Sequence, residues 1–130
     1  ENMIGIPGED LSTVWETIHL NQKCAADVPW ASLYQPYPGT KLGEQAVQAG
    51  LIDKIDPDSV RPSFFEDLTL KFPDRKRMIN LQKFFGLVVT YPRLEWLVKL
   101  LTLLPPNHYF QRFSDWWRRR RYATALYKLD

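Results

Sequence analysis

Asn2-Met3-Ile4-Gly5-Ile6-Pro7-Gly8-Glu9-Asp10 is the stretch on which the reading of this chain turns. Met3 to Ile6 is a short apolar run of strand type, and Pro7-Gly8 closes it with turn chemistry. Asp10 then offers an N-cap oxygen just before Leu11, Val14, Trp15, Ile18 and Ala25, whose spacings of three and four place them on one helical face. Thr13 and Glu16 also fit a capping box, which leaves the helix start open between two positions one turn apart. Val28 to Gln35 predicts a second strand, ended by Pro36-Tyr37-Pro38-Gly39-Thr40. Leu42 to Ala49 predicts a short helix stopped by Gly50, a good C′ residue. Residues 1–52 therefore read as two βα units.

Working outward, residues 53–73 hold Pro57, Pro62 and Pro73 among scattered acids and read as a linker along the surface. Residues 74–130 read as a helical extension of three segments. Arg75 to Thr90 places Met78, Leu81, Phe85 and Val88 on one face, and Pro92 to Leu104 does the same with Leu94, Leu97, Val98, Leu101 and Leu104. Tyr109 to Leu129 is the third. Pro92 suits a first helical turn, and Pro105-Pro106 terminates the second segment. The charge changes sign across the linker. Residues 1–65 carry 4 Lys/Arg against 9 Asp/Glu, and residues 66–130 carry 13 against 6.

With 130 residues, 45% of them apolar and 14% aromatic, the chain can bury one core, which excludes disorder and coiled coil. Its most apolar stretch, Phe84 to Leu104, is interrupted by Pro92, Arg93, Glu95 and Lys99, so it reads as buried helices and not as a membrane span. A single cysteine, Cys24, and the lack of a leader at the start predict a cytoplasmic protein. The apolar run already in progress at Met3 suggests a piece of a longer chain.

Asn2 to Asp10, the helix containing Trp15-Glu16-Thr17-Ile18, and Leu33-Tyr34-Gln35-Pro36-Tyr37-Pro38-Gly39-Thr40 together resemble the fifth and sixth strands of the radical S-adenosylmethionine barrel. The resemblance is to its cobalamin-dependent branch, whose members carry similar "MIGLPGET" and "PYPGT" turns. Gly8 and Gly39 lie 31 residues apart with one helix between them, a spacing more specific than either turn alone. Leu81-Gln82-Lys83-Phe84-Phe85 through Tyr91-Pro92, and Leu97 through Asn107, resemble the helical extension of that branch. The fold implied is α/β: an incomplete parallel βα barrel of two strands, followed by a helical extension and mostly helical overall.

The resemblance implies that Met3, Gly5, Gly8, Glu9, Tyr34, Gln35 and Pro36 contribute part of an S-adenosylmethionine pocket at the carboxyl ends of the strands. Glycines there let backbone approach a ligand without a Cβ in the way. Glu1 departs from the small residue usual at the start of the motif. The family's [4Fe-4S] cluster needs three clustered cysteines, and this chain has one, so the cluster and cobalamin are implied for a parent protein and not for this chain. The expected partner is the rest of the parent, a methyltransferase or related radical enzyme, and the chain alone is expected to be inactive. Two strands with open edges also predict self-association.

A different class of function hangs on the last helix. Phe110, Arg112, Phe113, Trp116, Trp117, Arg118 to Arg121 and Tyr122 could make a non-catalytic interaction module that binds an anionic membrane surface or a partner. The competing reading packs Phe113, Trp116 and Trp117 inward and turns the arginines to water. A net charge of +2 disfavours nucleic acid. Glu9 with Asp10, and Asp53 with Asp56 and Asp58, have no nucleophile at useful spacing and read as solvated acids. His19 and His108 read as surface or packing residues, and Cys24 has no role.

Overall fold

The computed structural model describes residues 1–56, 58 and 63–126. Two three-residue strands, β1 (Asn2–Ile4) and β2 (Ala31–Leu33), pair in parallel with Asn2 opposite Ala31 and Ile4 opposite Leu33. Around them lie α1 (Leu11–Lys23), α2 (Lys41–Gln48), α3 (Arg75–Thr90), a 3-10 turn at Pro92–Leu94, α4 (Glu95–Leu101) and α5 (His108–Leu126). Among the described residues the fold is thus mostly helical, with one small parallel sheet.

Local chemistry sets most boundaries. Asp10 accepts from the Thr13 N–H at 2.9 Å while the Asp10 N–H donates to Thr13 Oγ1 at 3.0 Å, a reciprocal capping box that starts α1 at Leu11 and not at the later position. The Ser12 hydroxyl and the Thr13 N–H hold the Asp10 carboxyl below the usual range. Thr40 caps α2 by accepting from Gly43 N at 3.1 Å. The second strand is shorter than its apolar run because β1 offers only three paired positions, so Val28 to Trp30 and Tyr34 to Gln35 lie outside the ladder. The segment beginning at Pro92 opens as a 3-10 turn and ends its helix at Leu101, ahead of the disfavoured pre-proline position Leu104.

The core is organised by α3. The sequence pattern places one apolar face on it, yet from Met78 to Val89 every residue except Leu87 is buried, Asn80, Gln82 and Lys83 included. It packs against α1, α4, α5 and β2, so little of its circumference faces water. Phe85, Leu81, Met78 and Val88 meet Val14 and Ile18 of α1, Ile4 and Leu33 of the strands, and Val98 of α4 in one cluster. A smaller cluster of Tyr34, Ala46 and Leu70 sits under α2.

The stretch read as a surface linker behaves differently from that expectation. Leu68 and Leu70 have no exposure, and Phe64 O accepts from Leu33 N at 2.7 Å, so this stretch lies along β2 and covers its outer edge. Apolar residues at alternate positions 68 and 70, with Phe72, give it a buried side that its prolines concealed. Among the described residues no helix is long and apolar enough to cross a membrane.

Candidate functional site

The two turns of interest leave the carboxyl ends of β1 and β2. Gly5 is buried with φ +88°, and a Cβ there would lie 2.3 Å from Leu68 Cδ1, so both the backbone conformation and the approach of Leu68 require glycine. Its N–H donates to Glu9 Oε2, and Glu9 N donates to Ile6 O at 3.1 Å. Glu9 therefore closes its own turn. Partial burial raises the Glu9 carboxyl above its ordinary value, with the Gly5 and Ile6 amides acting against that shift.

The structure separates the seven residues assigned to the pocket into two groups. Gly8 and Glu9 border an open groove with Ile6, Pro7, Thr13, Glu16 and Leu20, and Met3 is 48% exposed. Gly5, Tyr34, Gln35 and Pro36 are buried. Gln35 Nε2 donates to Asp67 O at 3.1 Å and its Oε1 accepts from Thr69 Oγ1, which commits the whole amide to the 67–69 segment. Burial raises the Tyr34 phenol, and the Thr40 hydroxyl beside it opposes the shift. The 67–69 segment thus touches the ends of both strands, Leu68 at Gly5 and Asp67 and Thr69 at Gln35.

Other singled-out residues find ordinary surroundings. His19 Nε2 lies 3.1 Å from Glu95 Oε2, tying α1 to α4, which the sequence did not suggest. Cys24 is exposed at the C-cap of α1, just past the helix. Among the described residues no three His, Cys, Asp or Glu side chains are grouped so as to hold a metal ion.

A second concave site escaped the sequence reading. Trp30, Ala31 and Phe65 form one wall of a cleft, Gln82, Lys83 and Gly86 of α3 its floor, and Ser114, Trp117, Arg118 and Arg121 of α5 the other wall. The four α5 residues recur at spacings of three, one and three, one face of a helix. A block of four arginines therefore splits. Arg118 lies over the Phe65 ring at 3.9 Å and pairs with Asp115 at 3.1 Å, and Arg121 donates to Asp27 O at 2.6 Å. Arg119 and Arg120 face water, and Trp116, expected inward, is 51% exposed. Trp117 does pack inward, with Nε1 2.7 Å from where a Gly86 Cβ would stand.

Lys83 is the charged group of the cleft floor. Its ammonium donates to the carbonyls of Phe65 and Glu66, and burial lowers its pKa to about 8, against the opposing fields of Asp115, Glu66 and Asp67. The signal available in the sequence was a lysine between Leu81 and Phe85, within an apolar helical run. No family model, curated protein or solved structure matches this chain.

Proposed function

We propose that this chain is the C-terminal part of a cobalamin-dependent radical S-adenosylmethionine enzyme of the cytoplasm, most of whose barrel lies elsewhere. The observation that carries this reading is the parallel pair β1 and β2, joined through α1, each strand delivering a glycine turn at its carboxyl end. That is where ligands gather in parallel βα architectures. In this reading the two strands are an incomplete barrel and α3 to α5 its helical extension.

The fit to each implied group differs. Backbone of the Gly5–Glu9 turn, with Met3 and Gly8 exposed, suits the rim of an S-adenosylmethionine pocket, and Glu9 serves by holding Gly5 in its left-handed conformation. Gln35 would orient the 67–69 segment and not touch the ligand. The residues present do not fit the [4Fe-4S] cluster, which needs thiolates that one exposed Cys24 cannot supply, and cobalamin is implied only through the family resemblance. Both belong to the parent, so the chain alone catalyses nothing. The parent's methyl transfer or related radical reaction stays part of the proposal.

The test is calorimetric titration of the 130-residue chain with S-adenosylmethionine, alongside the intact parent isolated anaerobically. Binding by the parent, lost in Gly5→Val and much weaker in the chain alone, is the expected result. Micromolar binding by the chain alone, or a parent without iron, overturns the reading.

A second reading has its own observation. Arg112, Trp116, Arg119 and Arg120 share the outward side of α5, and Trp96, Leu100, Leu103 and Leu104 are exposed on and just after α4. Aromatic and basic groups together favour contact with an anionic membrane surface. Co-sedimentation with anionic vesicles, lost in Arg119→Gln/Arg120→Gln, would support this interaction module. No binding at low salt would remove it.

A further inference from the structure

One side of α4 is apolar and faces water. Trp96, Leu100 and Leu103 follow one another at spacings of four and three, on the side away from buried Val98. The apolar ridge continues at Leu104 and, past the Pro105-Pro106 turn, at Tyr109 in the first turn of α5. Trp96, Leu100, Leu103 and Tyr109 are each more than half exposed. Single exposed leucines are ordinary in folded proteins, whereas a continuous apolar ridge bordered by polar groups marks a surface that something else covers.

Charge decides what covers it. Arg93 stands three residues before Trp96, Arg112 three residues after Tyr109, and Lys76 shares an open groove of about 640 Å3 with Leu103 and Leu104. All three cations are exposed, and none makes an ion pair among the described residues. The acids of the same segments are committed, Glu95 to Lys99 at 2.6 Å and to His19 at 3.1 Å, Asp74 to Arg77 at 3.7 Å, and Asp115 to Arg118 at 3.1 Å. An aliphatic ridge with indole and phenol rings at its ends and uncompensated cations beside it has the chemistry of an element lying in the interface of an anionic bilayer. We infer that the α4 ridge inserts there, with Trp96, Leu100 and Leu103 at the acyl boundary and Lys76, Arg93 and Arg112 against the lipid phosphates. This rests on the membrane reading of α5 and supplies its anchor: the outward arginines of α5 attract, and the α4 ridge inserts.

The test is co-sedimentation of the 130-residue chain with phosphatidylcholine vesicles, with and without phosphatidylglycerol, at low and at physiological salt. Leu100→Ser/Leu103→Ser should weaken partitioning into the anionic vesicles on the order of tenfold or more, as loss of buried leucine surface does. The urea midpoint should stay nearly unchanged, because both positions are exposed. Arg93→Gln/Arg112→Gln should weaken binding about fivefold per charge, and on anionic vesicles alone. A second readout needs no change of fold: acyl chains carrying bromine should quench the tryptophan emission of bound wild type, and Trp96→Phe should lose most of that quenching. Absence of binding at low salt removes the membrane reading and this inference with it. Binding that survives Leu100→Ser/Leu103→Ser, or quenching indifferent to Trp96→Phe, overturns the inserting role of α4 and leaves that reading standing. Equal binding to both kinds of vesicle overturns the anionic partner. A dimer seen by light scattering and abolished by the same leucine substitutions would give the ridge to a second copy and overturn the inference.

Discussion

Helices α2 and α3 use their side chains in opposite ways. α2 is strongly one-sided, yet only Gly43 and Ala46 are buried, and Leu42 and Val47 stay largely exposed. α3 shows weaker patterning and is buried nearly all round. Its polar side chains reach backbone carbonyls in three other segments: Asn80 to Leu104 O, Gln82 to Ala31 O, and Lys83 to Phe65 O. Clean amphipathicity marks a helix resting on the surface, where one face is wet. A central helix packed on all sides uses its polar groups to satisfy backbone carbonyls of the segments around it.

The widest separation between the two helices should appear in their packing. Phe85→Ala, at a fully buried position of α3, should cost about 3–5 kcal/mol in urea unfolding. Val47→Ala on α2 should stay within about 0.5 kcal/mol. Similar losses at both sites would break the comparison.

Lys83 sharpens it through pH. Because its pKa is lowered to about 8 in the fold from 10.5, the native state binds fewer protons than the unfolded chain between those values. Stability therefore rises with pH across that window, as a penalty present below pH 8 is relieved. Relative to Lys83→Met, the wild type should gain about 3 kcal/mol between pH 7 and 10.5, at 1.36 kcal/mol per pH unit. A constant difference between the two proteins across that range would mean the ammonium is not desolvated.

The helix starts give a smaller contrast. Thr40→Ala removes the α2 cap and should cost about 1 kcal/mol, with faster amide exchange at Gly43. Asp74 makes no side-chain cap bond on α3, so Asp74→Ala should cost less than about 0.5 kcal/mol. If Asp74 proved the costlier, α3 would depend on its end and not on its packing.

The smallest effect is expected on α5. Arg119→Gln with Arg120→Gln should leave the urea midpoint nearly unchanged, within about 0.5 kcal/mol, because both side chains face water. A larger loss would mean that the outward half of the arginine block also holds the fold.

Much of this was legible from local chemistry. The bounds of α3, the Asp10 cap, the Thr40-Lys41 start of α2 within one residue and the positions of the two strands all follow from caps, prolines and periodicity, which act over a few residues, whereas the parallel pairing was implied only by the family resemblance. What escaped was long-range. The 63–72 stretch had too little regular pattern to announce that it would lie along β2 and take Leu33 N. Of the candidate residues, Gly5 and Glu9 are placed by their own turn, whereas Gln35 is claimed by Asp67 and Thr69, more than thirty positions away.

By itself the sequence determined both ends of α3 and the approximate extents of the other helices, because a cap or a proline satisfies or removes backbone hydrogen bonds within one turn. Only the tertiary structure decided which faces are wet. Whether Arg118 and Arg121 turn inward while Arg119, Arg120 and Trp116 turn outward depends on what lies opposite α5, namely Phe65, Gly86 and the carbonyl of Asp27. Phe110, Phe113 and Trp117, spaced three and four apart, mark the inward side of α5, but Trp116 and the arginines beside them blur that stripe. The rotation of α5 is set by the partner that accepts its hydrogen bonds and fills against its rings, and that partner is remote in the chain.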